Sequence, residues 1–390
     1  MNTTCRRHID EQITTHFQKY KKILVLLGAR QVGKTTLLKR LFPEAQYLLI
    51  DNQSVKNILE RYDISAYRQL IHPGAKTVIL DEIHLLSNPG RAAKIIFDQM
   101  PDIRLIITGS SALSIKNKTS ESLAGRKIDY HLFPLTCAEY LYQTGTEAIL
   151  APHISDAILN PKKDTSLYPF DVTAIVETIL RYGLYPDMVN SPADEKYLHN
   201  LAGSVVFQDL LELNLIENRS SAVSLLKLLA YQIGNLINYS EIAARLTMDV
   251  RTVRRYIDMF EQSFIIFRLY PFSTNKRDEI GKTPKIYFYD VGLRNALIEN
   301  FSEISVRSDR GALFENFIIG EFLKLNTYFD LGYSLNYWRL KQGSEVDLVL
   351  QKENTCIAVE VKYSAGTITT AFKHRYPKAT THTITIDNFY

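Results

Sequence analysis

The chain has 390 residues, 46% of them hydrophobic and 23% charged, and a formal net charge of +4. That mix excludes intrinsic disorder, and the length exceeds one ordinary core, so two to four domains are expected. The longest apolar runs fall far short of a membrane span, residues 1–7 show no apolar leader, and so small a net charge leaves any nucleic-acid argument to local clusters. Cys5, Cys137 and Cys356 lie far apart and match no metal or disulfide spacing. They read as thiols of a reducing compartment, which predicts a cytoplasmic chain with no membrane partner.

The first third alternates apolar runs with helical patterns, which predicts a parallel α/β sheet with strands at 23–27, 47–50, 77–80 and 105–108. A helix over 35–41 is closed by Pro43. Residues 136–215 turn mostly helical and show no strand pattern; they are broken by a proline-containing loop at 160–169 and again at Tyr182-Gly183-Leu184-Tyr185-Pro186. This stretch reads as a helical lid or connector. From 222 onward, helices give way to strands at 264–272 and 285–289, joined by a polar turn. After Arg310-Gly311 an amphipathic helix over 312–325 leads into strands at 337–340, 346–350, 357–361 and 382–386. No internal repeat and no low-complexity tract is present.

Gly28-Ala29-Arg30-Gln31-Val32-Gly33-Lys34-Thr35 has the Gly-x4-Gly-Lys-Thr spacing of a P-loop, directly after an apolar strand and at the head of a helix. The glycines let backbone N–H groups converge on phosphate oxygens, and the helix N-terminus adds its positive dipole end. Arg30, Gln31, Val32 and Thr36 complete the predicted cradle for ATP. Lys34 supplies a point charge to the β- and γ-phosphates, and the Thr35 hydroxyl is a ligand for Mg²⁺. A loop left empty by nucleotide, or a Lys34 packed away from solvent, would overturn this account.

Thr77-Val78-Ile79-Leu80-Asp81-Glu82 is an apolar strand ending in two acids, the pattern of a Walker B motif. Asp81 would hold the metal through its water shell and Glu82 would polarise the attacking water. At the end of the next strand, Ser110, with Thr108 as second choice, is placed to sense the γ-phosphate, beside the plainer reading of a strand-ending turn. Arg126, exposed by Gly125, is a candidate arginine finger acting in cis or in trans, or else a solvated surface arginine.

These residues resemble a family. The P-loop with Thr36-Leu37, Leu80-Asp81-Glu82-Ile83-His84, Thr108-Gly109-Ser110-Ser111 and Leu123-Ala124-Gly125-Arg126, followed by Phe133-Pro134-Leu135 and Glu139, look like prokaryotic AAA+ superfamily ATPases of the archaeal-ATPase type. Gly311-Ala312-Leu313-Phe314-Glu315-Asn316 and Ser344-Glu345-Val346-Asp347 match the C-terminal domain of unknown function in those proteins. The resemblance implies an ASCE strand order, with the Thr108 strand between the Gly28 and Asp81 strands. It departs at Ala29, where many members have proline.

Tyr239-Ser240-Glu241-Ile242-Ala243-Ala244-Arg245-Leu246, a turn at Thr247-Met248-Asp249 and a helix from Val250 to Phe260 have the form of a helix–turn–helix. Val250, Val253, Ile257 and Phe260 share one stripe, Asp249 caps, and Arg251, Arg254 and Arg255 face away. The strand pair that follows would be a wing with Lys276, Arg277 and Lys282 at its tip, suited to double-stranded DNA. The acids Asp258, Asp278 and Glu279 dilute the charge, and a winged helix used only for packing stands as the other reading.

Glu315 on a helix, Asp347 on one strand and Glu360-Val361-Lys362 on the next have the order of a PD-(D/E)XK nuclease core. Glu360 and Lys362 share a strand face, and an adjacent antiparallel strand would bring Asp347 beside them. Asp347 and Glu360 would hold Mg²⁺, Glu315 would complete the shell, and Lys362 would orient or deprotonate water. An amphipathic edge strand with solvated charges is the plainer alternative. Trp338 and Arg339 read as core and surface respectively.

The sequence therefore predicts a P-loop ATPase core over residues 1–135, a helical lid or connector over 136–215, a winged helix over 216–304 and a restriction-endonuclease-like α/β domain over 305–390. The expected cofactors are ATP and Mg²⁺, and the expected partner is DNA. The alternative is an ATP-gated switch that binds a protein partner, with a silent nuclease-like docking domain. Self-association is a further expectation, tied to Arg126 acting in trans.

Overall fold

The computed structural model describes residues 6–109, 123–150, 171–212, 218–273, 283–340, 343–364 and 366–389, with backbone only for 205–212. It falls into two compact units. The first comprises Met1–Phe133 together with Gln208–Leu215 and Gln262–Phe264; the second holds the rest. No helix of the described residues is long and apolar enough to cross a membrane.

The first unit is built on a parallel sheet of β1 (Ile23–Leu27), β2 (Gln46–Leu49), β3 (Thr77–Asp81), β4 (Arg104–Gly109) and β5 (Lys127–His131). Their order is β2-β3-β4-β1-β5, so β4 lies between the strand that precedes the glycine-rich loop and the strand that ends in Asp81. This is the ASCE order that the resemblance implied. All five residues of β1 and of β3 are buried, as their uninterrupted apolar runs require of central strands covered on both faces. Because the strands are parallel, Leu27, Asp81 and Gly109 finish at one edge, where open α/β sheets bind ligands. β5 is the strand that sequence patterning did not find. Its half-buried alternation pairs with β1 from Ile23↔Lys127 to Leu27↔His131.

Helix α1 (Asp10–Lys19) buries Ile13 and His16. Helix α2 (Lys34–Leu41) follows the loop after β1 and turns Leu37 and Leu38 inward. Asn52 and Asp63 cap α3 (Gln53–Leu59) and α4 (Ile64–Leu70) through their side-chain oxygens. Asn88 caps α5 (Pro89–Gln99), which opens on proline where no N–H is needed.

The second unit begins with α6 (Cys137–Gln143), which opens on a capping box: Thr136 accepts from the Glu139 N–H, and the Glu139 carboxylate accepts from the Thr136 N–H. The helices α7 (Val172–Tyr182), α8 (Asp187–Asn190) and α9 (Glu195–Glu212) follow, and no strand occurs among the described residues between 136 and 212. The loop expected at 160–169 lies outside the described residues. Gly183 has φ +74° and so ends α7 in a conformation that favours glycine.

Next come α10 (Arg219–Tyr231), α11 (Tyr239–Leu246) and α12 (Val250–Gln262). On α12 Val253, Tyr256, Ile257, Met259 and Phe260 are buried, while Arg251, Arg254 and Arg255 are exposed. Asp249 Oδ1 accepts the Arg251 N–H at 2.7 Å, the cap expected of it.

A six-stranded sheet completes the unit in the order β11-β10-β9-β8-β6-β7, formed by β6 (Ile266–Pro271), β7 (Lys285–Phe288), β8 (Ser334–Arg339), β9 (Glu345–Lys352), β10 (Thr355–Val361) and β11 (Thr380–Ile384). β6 and β7 pair antiparallel, as the expected hairpin requires. β6 also pairs in parallel with β8 through Tyr270↔Asn336 and Pro271↔Tyr337, so the sheet runs without interruption across residues 304–305. Helix α13 (Val291–Leu297) is capped by Asp290. Helix α14 (Arg310–Tyr328) is buried on most of its surface, including the polar side chains of Asn316, Glu321 and Lys324. Trp338 is core, packed with Phe372 and Val349, and Arg339 is exposed. The short helix α15 (Thr370–Arg375) buries Phe372.

Candidate nucleotide site and carboxylate centre

The loop between β1 and α2 is shaped by two left-handed residues, Gln31 at φ 61° and Gly33 at φ 94°. Alternation of this kind turns successive N–H groups toward one hollow. No side chain caps the N-terminus of α2, so its first-turn N–H groups face the same hollow. The Lys34 ammonium donates to the carbonyls of Gly28 at 2.8 Å and Ala29 at 2.9 Å. Lys34 is only 6% exposed, so it is packed away from solvent, the condition under which the sequence account was to fall. The ammonium is held there by two carbonyls of the loop, so the burial is local to the phosphate cradle. Gly28 has a packing reason of its own: an added Cβ would come 2.1 Å from the Leu132 carbonyl oxygen. Arg30 is half-buried, Val32 is buried, and Gln31 and Thr36 are exposed.

Asp81 stands beside this loop. Its Oδ2 accepts the Thr35 hydroxyl at 2.8 Å, and its Oδ1 accepts the Glu82 N–H at 3.1 Å together with the Thr108 hydroxyl. The Tyr47 hydroxyl reaches Thr35 Oγ1 at 3.5 Å. The end residues of β1's loop, β3 and β4 thus meet on one carboxylate. Glu82 adopts a left-handed conformation (φ 57°), and its Oε2 lies 3.2 Å from His84 Nδ1. Burial alone would raise the Glu82 carboxyl, but the hydrogen bond to His84 and the charges of Lys34, His84 and Arg30 outweigh it and hold the group at about 2. Glu82 is therefore an anion at neutral pH. His84 stood in the sequence motif without a role; here it is the partner of the would-be base.

Ser110 lies outside the described residues, and Thr108, the second choice, contacts Asp81. Arg126 sits at the opposite end of β1: its carbonyl accepts the Ile23 N–H at 2.8 Å and its Nε pairs with Asp98 at 3.0 Å. A five-residue strand separates it from Gly28, roughly 16 Å at ~3.3 Å per residue. Arg126 as a finger in cis is corrected by this placement, which the local Gly-Arg pattern could not reveal.

In the second unit β9 and β10 are antiparallel with Val359 opposite Leu348, and one step further brings Glu360 opposite Asp347. The Lys362 ammonium bridges the two carboxylates, 3.0 Å from Asp347 Oδ2 and 2.7 Å from Glu360 Oε1. Burial disfavours that cation, yet the two anions raise its pKa. Glu315 goes elsewhere. Its Oε1 accepts the Tyr287 hydroxyl at 2.6 Å and the Lys285 ammonium at 3.3 Å, and Lys285 also pairs with Glu345. Burial, reinforced by the Asp347 charge, pushes the Glu315 carboxyl up, and the same two causes push Glu360 up. Among the described residues no three His, Cys, Asp or Glu side chains converge to hold a metal, so Glu315 does not complete the expected shell. Its hydrogen bonds to Lys285 and Tyr287 are the reason. Sequence reasoning missed both of these groups, because they stand on β7, outside the helix–strand–strand pattern.

Known proteins resemble the chain segment by segment. Residues 20–141 match a family described as an AAA domain, residues 173–304 a domain of unknown function (DUF8612), and residues 310–384 a domain of unknown function (DUF4143). An uncharacterized protein, MJ1637, of Methanocaldococcus jannaschii is 27% identical over 365 residues, covering 87% of this chain and 76% of that protein. An uncharacterized protein of Haemophilus influenzae is 23% identical over 371 residues, covering 87% of this chain and 82% of that one. Among solved structures, the Walker-type ATPase paby2304 of Pyrococcus abyssi is similar at 15% identity over 75% of this chain and 95% of that chain, with a TM-score of 0.48.

Proposed function

We propose that this chain, whose residues 20–141 form an AAA-type P-loop ATPase domain, binds ATP with Mg²⁺, hydrolyses it, and couples that cycle to DNA through its second unit. The observation that carries the ATPase reading is the meeting of Thr35, Asp81 and Thr108 beside a loop that holds its own lysine, with Glu82 kept anionic at about 2. Hydroxyl and carboxylate oxygens are the donors a small hard cation prefers, so Thr35 and Asp81 fit Mg²⁺. Bound there, the ion would offset charge on the phosphate oxygens. Loop N–H groups and Lys34 orient the triphosphate, and Glu82 takes the proton from water.

The DNA reading rests on Arg251, Arg254 and Arg255, which form an exposed row on α12. Two of them are steadied by rings, Arg254 over Tyr239 at 4.2 Å and Arg255 over Tyr256 at 5.5 Å. The expected wing tip at Lys276, Arg277 and Lys282 lies outside the described residues.

The carboxylate centre also fits Mg²⁺, on a smaller ligand set than three carboxylates. Glu360 Oε2 is buried and has no hydrogen-bond partner among the described residues, and it stands beside Asp347. Mg²⁺ is commonly held by one or two carboxylates with waters filling the remaining positions. Asp347 and Glu360 are the ligands in this reading, and Lys362 orients water. One observation favours the second reading, a silent docking domain for a protein partner: both lysines at the centre already lie between carboxylates.

One assay on purified protein separates the readings: ATP turnover with Mg²⁺, with and without double-stranded DNA, scored also for strand breaks. Turnover abolished in Lys34→Ala supports the nucleotide site, and normal turnover there removes it. DNA stimulation that weakens with salt supports the DNA reading. Strand breaks lost in Asp347→Ala with ATPase intact assign cleavage to the second unit. No stimulation and no breaks favour the partner switch.

A further inference from the structure

The P-loop is held from outside by a residue that lies before the matched domain begins. Arg7 is 3% exposed, and its guanidinium forks between two carbonyls: Nη1 donates to Val32 O at 3.1 Å and Nη2 to Phe133 O at 2.7 Å. Val32 belongs to the loop. Phe133 follows Leu132, whose carbonyl is the group packed against Gly28 and whose N–H donates to Leu27 O at 2.7 Å. One planar cation therefore ties the second half of the loop to the backbone that packs against its first residue.

The consequence follows from the peptide bond. In a trans peptide the carbonyl of one residue and the N–H of the next point to opposite sides of one plane, and the described chain has no cis peptide. Holding the Val32 carbonyl against Arg7 fixes that plane and aims the Gly33 N–H the other way, away from Arg7. Gly33 is one of the two left-handed residues that shape the hollow, and its φ of 94° leaves the peptide free to turn unless something outside restrains it. A guanidinium suits this task because its donors are fixed in a planar fork, which a lysine ammonium cannot imitate on two carbonyls at once.

We infer that Arg7 is a positioning residue of the nucleotide site: it orients the Val32–Gly33 peptide so that the Gly33 N–H meets the phosphates of ATP. The inference rests on the nucleotide-site reading above. It predicts a defect in triphosphate binding out of proportion to any loss of stability.

Full-length wild type, Arg7→Lys and Arg7→Met are compared for affinity toward a fluorescent ATP analogue with Mg²⁺, for KM and kcat of ATP turnover, and for melting temperature without nucleotide. Losing one well-aimed hydrogen bond to a charged phosphate weakens binding on the order of tenfold or more. The expected result is a KM for ATP raised by about that factor in Arg7→Met, with kcat held within roughly threefold, because the contact is made equally in ground and transition states. Arg7→Lys, which reaches one carbonyl, falls between. If Arg7→Met does not fold, Arg7→Lys is judged by the same affinity criterion. A folded Arg7 variant that melts lower yet binds ATP within about twofold of wild type makes Arg7 a purely structural anchor and overturns the inference. A wild type that binds no ATP overturns the nucleotide-site reading itself, and the inference with it.

Discussion

Replacing Gly28 by alanine tests whether the loop's first glycine serves phosphate alone. A Cβ at Gly28 would lie 2.1 Å from the Leu132 carbonyl oxygen and 3.1 Å from its carbon. Ordinary contact starts at 3.4 Å, and that carbonyl cannot easily yield. The Leu132 N–H is bonded to Leu27 O at 2.7 Å, and the next carbonyl is held by Arg7 at 2.7 Å. Overpacking of this kind costs ~1–3 kcal/mol, and a buried backbone hydrogen bond left unmade costs a further ~1–3 kcal/mol. Gly28→Ala should therefore lose about 2–6 kcal/mol, read as a lower urea midpoint at unchanged slope, with ATP affinity falling alongside. Gly33→Ala is the comparison: at φ 94° it carries a backbone strain of order 1–2 kcal/mol. A Gly28→Ala protein with the wild-type midpoint and intact ATP binding would refute the packing argument, and so would an effect smaller than that of Gly33→Ala.

Glu82→Gln should bind ATP and stall turnover, lowering kcat by roughly 10²–10⁴ as for a lost general base; wild-type turnover in the variant removes Glu82 from the chemistry. Because the folded Glu82 carboxyl is held at about 2, below its ordinary 4.5, it stays charged as pH falls and loses its charge only near pH 2. The pH–rate profile should then show no acid limb near 4.5 that disappears in Glu82→Gln, and such a limb would contradict the geometry. In the second unit Lys324 and Glu321, 3% and 1% exposed, pair at 3.0 Å; Lys324 also donates to Leu135 O at 2.9 Å, and Glu321 accepts the Cys137 N–H at 2.8 Å. Lys324→Met leaves the buried Glu321 carboxylate without its cation and should cost ~3–5 kcal/mol by chemical denaturation, with Lys324→Met/Glu321→Gln recovering part of it. Strict additivity of the two substitutions would show that the pair is not coupled.

The central strands of the first unit were legible because burial on both faces demands an unbroken apolar run, as at residues 23–27 and 77–80. β5 was not, because Lys127-Ile128-Asp129-Tyr130-His131 is an edge strand half-buried throughout, and its partner lies about a hundred residues earlier. The phosphate loop and the paired acids are local motifs, so spacing alone placed Lys34, Thr35 and Asp81 together. Arg7 is the opposite case: it acts on Val32 and Phe133, 25 and 126 residues away, and no short pattern marks a side chain that works on distant carbonyls. Arg126 as a finger in cis failed for a related reason, since a Gly-Arg pair signals exposure but not which end of a strand it occupies. The antiparallel pairing that sets Glu360 beside Asp347 followed from strand periodicity. The bond of β6 to β8 did not, since it depends on two residue pairs across more than sixty residues of chain.

That last pairing changes what the β6–β7 hairpin is. A free wing would end its influence at its own tip, whereas here β7 delivers Lys285 and Tyr287 into the carboxylate centre. Four carboxyl groups, Glu315, Glu345, Asp347 and Glu360, face three cations, Lys285, Lys362 and the Arg339 guanidinium 3.6 Å from Glu345, leaving an excess of one acid (four minus three). Buried anions without matching cations are costly. The chain relieves part of that cost by raising the Glu315 and Glu360 carboxyls toward their neutral forms. A divalent cation on Asp347 and Glu360 would relieve the rest. Glu315, engaged by Lys285 and Tyr287, would stay off that ion, so any metal chemistry at this centre would run on two carboxylates and water, beside a strand that also pairs with β6.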